Sequence, residues 1–447
     1  MNQPPQISRR SLLAFGGALA LPAPFLASCS TAGTTTPSTA ATPSAVAKVT
    51  TGTVRWLTDS PYKPSIDKVL AALAKDPTLK LKVELSSVES STLPATWRNN
   101  AIQSKQTDLL DGKSPKFQFL DPMLKADVLA PMDAYYELYG WEKYLAGAAV
   151  KHTIRGGKKW MVPLYLELPG IAYRPSVLKA YGQEGPPQTW DAFVAVLRAA
   201  KADGKIPLTV GCRGFSFTML LQNMFWAAGD PKSIENVIFG DAKWTDGSFQ
   251  ASAQAILDLW KEGLIDRDAP SIDINAAGER FLAGDAVMNV TGTWFFATMQ
   301  DKFGGHDWDL FTPPAPNGPP KWSLGEDQSM VLPINSLDPD AAAALLNYLV
   351  AGDGAKVYAE AGNLMATNAA AGSSIPQVQA LPIGPTGDTA VYLYGWLAAN
   401  ASPAWQNGST DLLTGAQTPA QYAQSVQTAW DQDVAQGNLP ENRAELL

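Results

Sequence analysis

Val54-Arg55-Trp56-Leu57, the spaced set Ile66, Val69, Leu70 and Leu73, and the run Leu81 to Leu85 decide the fold class. The first is strand-like, rich in β-branched and aromatic residues. The second sits at helical spacing within 64–75. The third alternates apolar and polar like a half-buried strand. Strand, helix and strand at this separation imply a parallel α/β sheet. Phe117 to Leu120 reads as a further strand.

Helix signals follow later in the chain. Thr189 can cap a helix whose apolar face is Trp190, Phe193, Val194 and Leu197. Ile256, Leu259 and Trp260 mark a helix that stops at Gly263. Asp338-Pro339 starts one that runs through Leu345, Leu346 and Leu349 to Gly352. Thr418-Pro419-Ala420-Gln421 is a capping box before Tyr422, Val426 and Trp430. The chain of 447 residues is long enough for two domains or one large one.

The first 29 residues read as an address. Ser8-Arg9-Arg10-Ser11 is a twin-arginine pattern, and Leu12 to Leu21 is an apolar run too short to span a bilayer. Leu26-Ala27-Ser28-Cys29 resembles a bacterial lipobox, in which Cys29 is lipidated. The expectation is therefore a signal peptide at 1–28 and a Ser/Thr/Ala/Pro-rich flexible stalk at 29–49. The folded part would lie on the outer face of the cytoplasmic membrane, held there by lipid on Cys29. Cys212 would then have no intrachain partner.

Composition excludes several chemistries. Two histidines, His152 and His306, and two cysteines leave little room for Cys/His zinc sites or a Ser-His-Asp triad. Both histidines read as surface residues. The net charge of −8 and the lack of a basic stripe argue against nucleic acid. Gly352-Asp353-Gly354 and Gly156-Gly157-Lys158-Lys159 lack the glycines of nucleotide loops and read as a helix junction and a turn. No catalytic residue, metal or cofactor is expected. Aromatics are abundant, with 14 Trp, 13 Tyr and 15 Phe. Trp294, Trp322 and Trp405 stand at loop edges near acids and amides, where a ring can cover the C–H face of a sugar. Glu326-Asp327 is an acidic pair in the same class of position.

Four pieces, in order, resemble the carbohydrate-binding lipoproteins of ABC importers, the extracellular solute-binding family that includes maltodextrin-binding proteins. They are Gly157-Lys158-Lys159-Trp160-Met161-Val162-Pro163 with Ile171-Ala172-Tyr173-Arg174, and Pro187-Gln188-Thr189-Trp190-Asp191-Ala192-Phe193. Then come Phe281 to Met288 with Gly292-Thr293-Trp294, and Leu412-Leu413-Thr414-Gly415 with Thr418-Pro419. The resemblance covers roughly residues 50–435. It implies an α/β, two-lobe periplasmic-binding-protein-like (type II) fold with the ligand cleft between the lobes. Lobe 1 would be 50–165 and 293–335, and lobe 2 would be 166–292 and 336–447. It places Trp294 where the family stacks an aromatic on sugar and Glu167 where a hydroxyl is bound. Trp405 falls near a second stacking aromatic, and Asp59 lies at a first-strand end that often meets ligand. Ser114-Pro115-Lys116-Phe117-Gln118-Phe119 departs from the family's Pro-Asp-Val, with Gln118 and Asp121 as substitutes there, and Arg174 replaces its Asn.

The resemblance implies a monomeric binding protein that captures a mono- or oligosaccharide, or a related polyol, for ABC transporter permease subunits. Two other readings stay open: a secreted glycoside hydrolase, and a lipoprotein acting only as receptor or scaffold.

Overall fold

The computed structural model describes residues 46–88, 107–229, 233–305, 307–361, 375–381, 389–439 and 443–446, with Thr92, Leu93, Ala95, Thr96, Asn99 and Thr367. The expected signal peptide, Cys29, the stalk before residue 46 and His306 lie outside the described residues. Val46 and Val49 already pack against a hydrophobic core, and Ala47 N–H donates to Asp340 at 3.2 Å. The end of the expected stalk is thus docked.

The opening strand-helix-strand forms as read. β1 (Thr51–Asp59) runs parallel to β2 (Lys80–Val88), with Val54 opposite Val83. The helix Lys63–Leu73 between them buries Ile66, Val69 and Leu73. β3 (Leu109–Asp111) adds in parallel on the other side of β1. β14 (Ser329–Pro333) pairs antiparallel with β3, β4 (Leu129–Ala130) and β7 (Val162–Pro163). These six strands form the first sheet. Between β4 and β7 the hairpin β5 (Ile154–Arg155) and β6 (Lys158–Lys159) turns at Gly156-Gly157.

A second sheet holds β10 (Ile206–Thr209), β11 (Ala286–Gly292), β9 (Pro169–Tyr173) and β12 (Asp309–Phe311), in that order. Two short strands carry the chain between the sheets. β8 (Leu166–Glu167) leads from β7 to β9, and β13 (Trp322–Glu326) leads from β12 to β14. They pair antiparallel, Gly325 opposite Glu167, and β15 (Thr389–Val391) joins β13. Each main sheet has its own core. Trp56, Trp141 and Trp308 fill the first, and Phe193, Trp226 and Trp244 the second.

Two readings are corrected. Phe117 to Leu120 is a turn entering the helix Leu120–Lys125, closed by Lys116 C=O, and the strand falls at Leu109–Asp111 instead. The chain also divides differently from the expected ranges. β12, within 293–335, pairs with β9 in the second sheet. The helices Pro339–Val350 and Asp353–Glu360, within 336–447, pack on β1 and on the helix Lys63–Leu73. Leu345, Leu346 and Leu349 need an apolar sheet face, and β1 supplies it. Asp338 ties the junction, accepting from Ala341 N–H at 3.2 Å and Thr53 N–H at 3.0 Å.

The remaining helix readings hold. Thr189 caps Trp190–Ala202, Gly263 closes Gly247–Glu262 in the left-handed conformation, and Thr418 with Gln421 forms the capping box of Pro419–Ala435. Among the described residues no helix is long and apolar enough to cross a membrane.

Candidate functional site

The carboxyl end of β1, the crossing strands and the segment after β15 enclose a cavity of about 390 Å³. Its lining divides by chemistry. Asp59, Tyr62, Ser65 and Lys113 come from the first sheet's side. Tyr165, Glu167 and Asp327 come from the crossing strands and their ends. Phe215, Tyr392 and Tyr394 come from the second core's side, and Trp294 follows β11.

The polar wall is a linked set. Lys113 forms an ion pair with the fully buried Asp59 and sits 3.8 Å from Asp327. Its φ of +64° is a left-handed conformation that costs a non-glycine residue energy. Asp111 holds that turn, accepting Lys113 N–H at 2.8 Å and Asp59 N–H at 3.3 Å. Burial pushes the Asp111 carboxyl up to about 7, against the pull of Lys113. For Lys113 burial opposes the charge, but Asp327, Asp111 and Asp59 outweigh it and raise its pKa. Tyr62 donates its hydroxyl to Asp327. Burial, then the Asp327 charge, lifts the Glu167 carboxyl far above the usual range.

The aromatic wall is assembled by packing. The Phe215 ring lies 5.1 Å from Tyr394 and 6.5 Å from Trp294, and Tyr392 lies 6.1 Å from Tyr394. Tyr394 keeps 38% of its surface exposed. Gly292 is required beside Trp294, because a Cβ there would come within 2.3 Å of the indole. Thr293 fixes the turn to the crossing segment, its hydroxyl accepting from Leu168 N–H at 3.2 Å. The Gly-Thr-Trp sequence thus presents a half-buried ring at the cavity.

Of the residues nominated from sequence, Asp59, Glu167, Trp294 and Asp327 line the cavity together. The others lie elsewhere. Trp405 is buried in the second core, 5.4 Å from Trp244 and 5.5 Å from Phe249. Trp322 packs half-buried against the first core. Gln118 donates to Leu397 C=O at 2.6 Å, and Asp121 pairs with Arg155 at 3.2 Å. Glu326 is fully buried against His152 Nδ1 at 2.7 Å, so His152 is not a surface residue. Cys212 is free and buried.

Sequence reading missed Tyr62, Lys113, Tyr165, Phe215, Tyr392 and Tyr394. Tyr165 carried a signal, standing two residues before Glu167 and therefore on its side of an extended chain. Tyr62 follows the strand-end Asp59 through Ser60-Pro61, a turn at a sheet's carboxyl edge. Lys113 carried none, because its place depends on a left-handed turn.

The sequence profile of bacterial extracellular solute-binding proteins matches residues 60–356. A "probable sugar-binding periplasmic protein" of Mesorhizobium japonicum is 25% identical over 172 residues, 38% of this chain. The match spans only 40% of that protein's length. Among solved structures, a chitin oligosaccharide binding protein superposes with a TM-score of 0.71 at 18% identity, over 87% of this chain and 99% of its own. A probable secreted solute-binding lipoprotein from Streptomyces coelicolor gives 0.70 at 15% identity, over 85% and 98%. At these identities the likeness speaks for the two-lobe fold.

Proposed function

The chain belongs to the bacterial extracellular solute-binding proteins, and from that premise we propose that it captures a carbohydrate for an ABC transporter permease. The observation that carries this reading is the cavity at the crossing strands, with carboxylates on one wall and aromatic rings on the other. Rings cover the C–H faces of a sugar, and Asp59, Glu167 and Asp327 accept from its hydroxyls. The related proteins described as sugar-binding and chitin-oligosaccharide-binding support the same class.

The two lobes are the two sheets with their cores, joined by β8 and β13. A solute that touches both favours the closed population, and the closed form docks on the permease. Export through the leader and lipidation of Cys29 keep the protein at the membrane's outer face. It acts as a monomer.

Capture fits better than hydrolysis. A glycosidase holds two carboxyl groups at least about 5 Å apart across the scissile bond. On this cavity's polar wall Asp59 and Asp327 are instead both drawn to Lys113, and Tyr62 donates to Asp327.

Thermal unfolding of the purified protein against a panel of mono- and oligosaccharides tests the class. A ligand at about 100 times its Kd adds about 2.7 kcal/mol. One selective upward shift supports the reading, and release of cleaved sugar would replace it with the hydrolase.

A further inference from the structure

The aromatic wall is held at one end by Lys116, an inference that rests on the carbohydrate reading above. The rings form a row. Trp294 meets Phe215 at 6.5 Å, Phe215 meets Tyr394 at 5.1 Å, and Tyr394 meets Tyr392 at 6.1 Å. All four line the cavity, and Lys116 is not among the lining residues. Its ammonium lies 5.0 Å from the Tyr392 ring centroid and 5.8 Å from that of Tyr394.

Lys116 keeps only 1% of its surface exposed, a place lysine rarely takes unless paired. Among the described residues it makes no ion pair, and its charge rests on the two rings instead. Two glycines make room for it. A Cβ on Gly325 would come within 3.1 Å of the ammonium, and one on Gly395 within 2.9 Å of the lysine stem. Gly395 also has a φ of +85°, which favours glycine. The seat is thus built by β13 and by the segment that carries both tyrosines. An ammonium out of water without a carboxylate costs stability, and an apolar chain of similar length would fill the seat without that cost. Packing alone therefore gives no reason for a lysine here.

We propose that Lys116 is a positioning residue of the ligand site, whose ammonium fixes the Tyr392 and Tyr394 rings in the attitude the sugar meets. Cation and ring attract most strongly where water is excluded. Tyr394, the more exposed of the two, depends most on that hold. Without it the ring turns more freely, and binding must spend free energy on ordering it.

The test is titration calorimetry and thermal unfolding of the purified wild-type protein, Lys116→Met, Tyr394→Leu and the double variant. Galactose, maltotriose and diacetylchitobiose serve as probes. For the tightest-binding probe, Lys116→Met should lose affinity tenfold or more, about 1.4 kcal/mol, with Tm no lower than that of the wild type. A residue that acts through a ring loses its effect when the ring is gone. In the Tyr394→Leu background, Lys116→Met should therefore cost less than threefold. Lys116→Gln repeats the test should Lys116→Met fail to fold. A loss below threefold in Lys116→Met alone overturns the positioning role and leaves the carbohydrate reading standing. So does a tenfold loss that persists in the Tyr394→Leu background alongside a lowered Tm, the mark of general packing damage. Binding of no probe by the wild-type protein overturns both.

Discussion

The cavity's two walls are built on opposite principles. On the polar wall the groups are committed to one another. Lys113 is shared between Asp59 and Asp327, its backbone is held by Asp111, and Tyr62 donates to Asp327. On the aromatic wall Phe215, Tyr394 and Trp294 meet ring to ring, and Tyr394 stays partly open. Charges out of water must be satisfied before any ligand arrives, whereas rings tolerate an empty face. The polar wall should therefore answer mutation in stability first, and the aromatic wall in affinity first.

Lys113→Met breaks the comparison hardest. It leaves buried carboxylates without their cation and should cost about 3–5 kcal/mol, read by urea unfolding near neutral pH. A loss below about 1 kcal/mol would mean the wall is not a linked set. Trp294→Ala should do the reverse, weakening ligand tenfold or more, about 1.4 kcal/mol, with little change in Tm. Unchanged affinity would remove Trp294 from the site.

Asp111 gives a pH signature. Its folded-state carboxyl titrates at about 7, above an unfolded value of about 4. Between those values the native state holds a proton the unfolded chain has lost. Its contribution to stability therefore falls as pH rises from about 4 to about 7, by at most about 1.4 kcal/mol per pH unit. Asp111→Asn should flatten that part of the profile in unfolding titrations. An unaltered slope would assign the proton to another group.

Gln118→Ala should do least. Its amide bonds Leu397 C=O away from the cavity, so calorimetric affinity should stay within about twofold while stability drops by about 1 kcal/mol. A large loss of affinity would reopen the 114–121 loop as part of the site.

Sequence patterning reached the fold where local rules dominate. The β1-helix-β2 unit and the caps at Thr189, Asp338 and Thr418 each depend on residues close in the chain. It lost the strand at Leu109–Asp111, because three residues carry too little periodicity. It misplaced the helices after Pro339, whose apolar face fits either core equally well on pattern alone.

The site was legible where a motif fixed the backbone. Gly292 and Thr293 aim Trp294 whatever surrounds them. Glu326 and Asp327 show the limit: neighbours in the chain, they point to His152 and to the cavity respectively. Trp405 shows another: read as standing at a loop edge, it lies within the helix Ala401–Thr414 and packs on Trp244 and Phe249.

The central claim is that one solute bridges both walls, and calorimetry of the wild-type protein and Trp294→Ala with an oligosaccharide panel tests it most directly. The account predicts one-to-one binding of at least one sugar at micromolar Kd or tighter, about −8 kcal/mol, weakened tenfold or more in the variant. Binding that ignores Trp294→Ala, or no heat with any sugar, would contradict it.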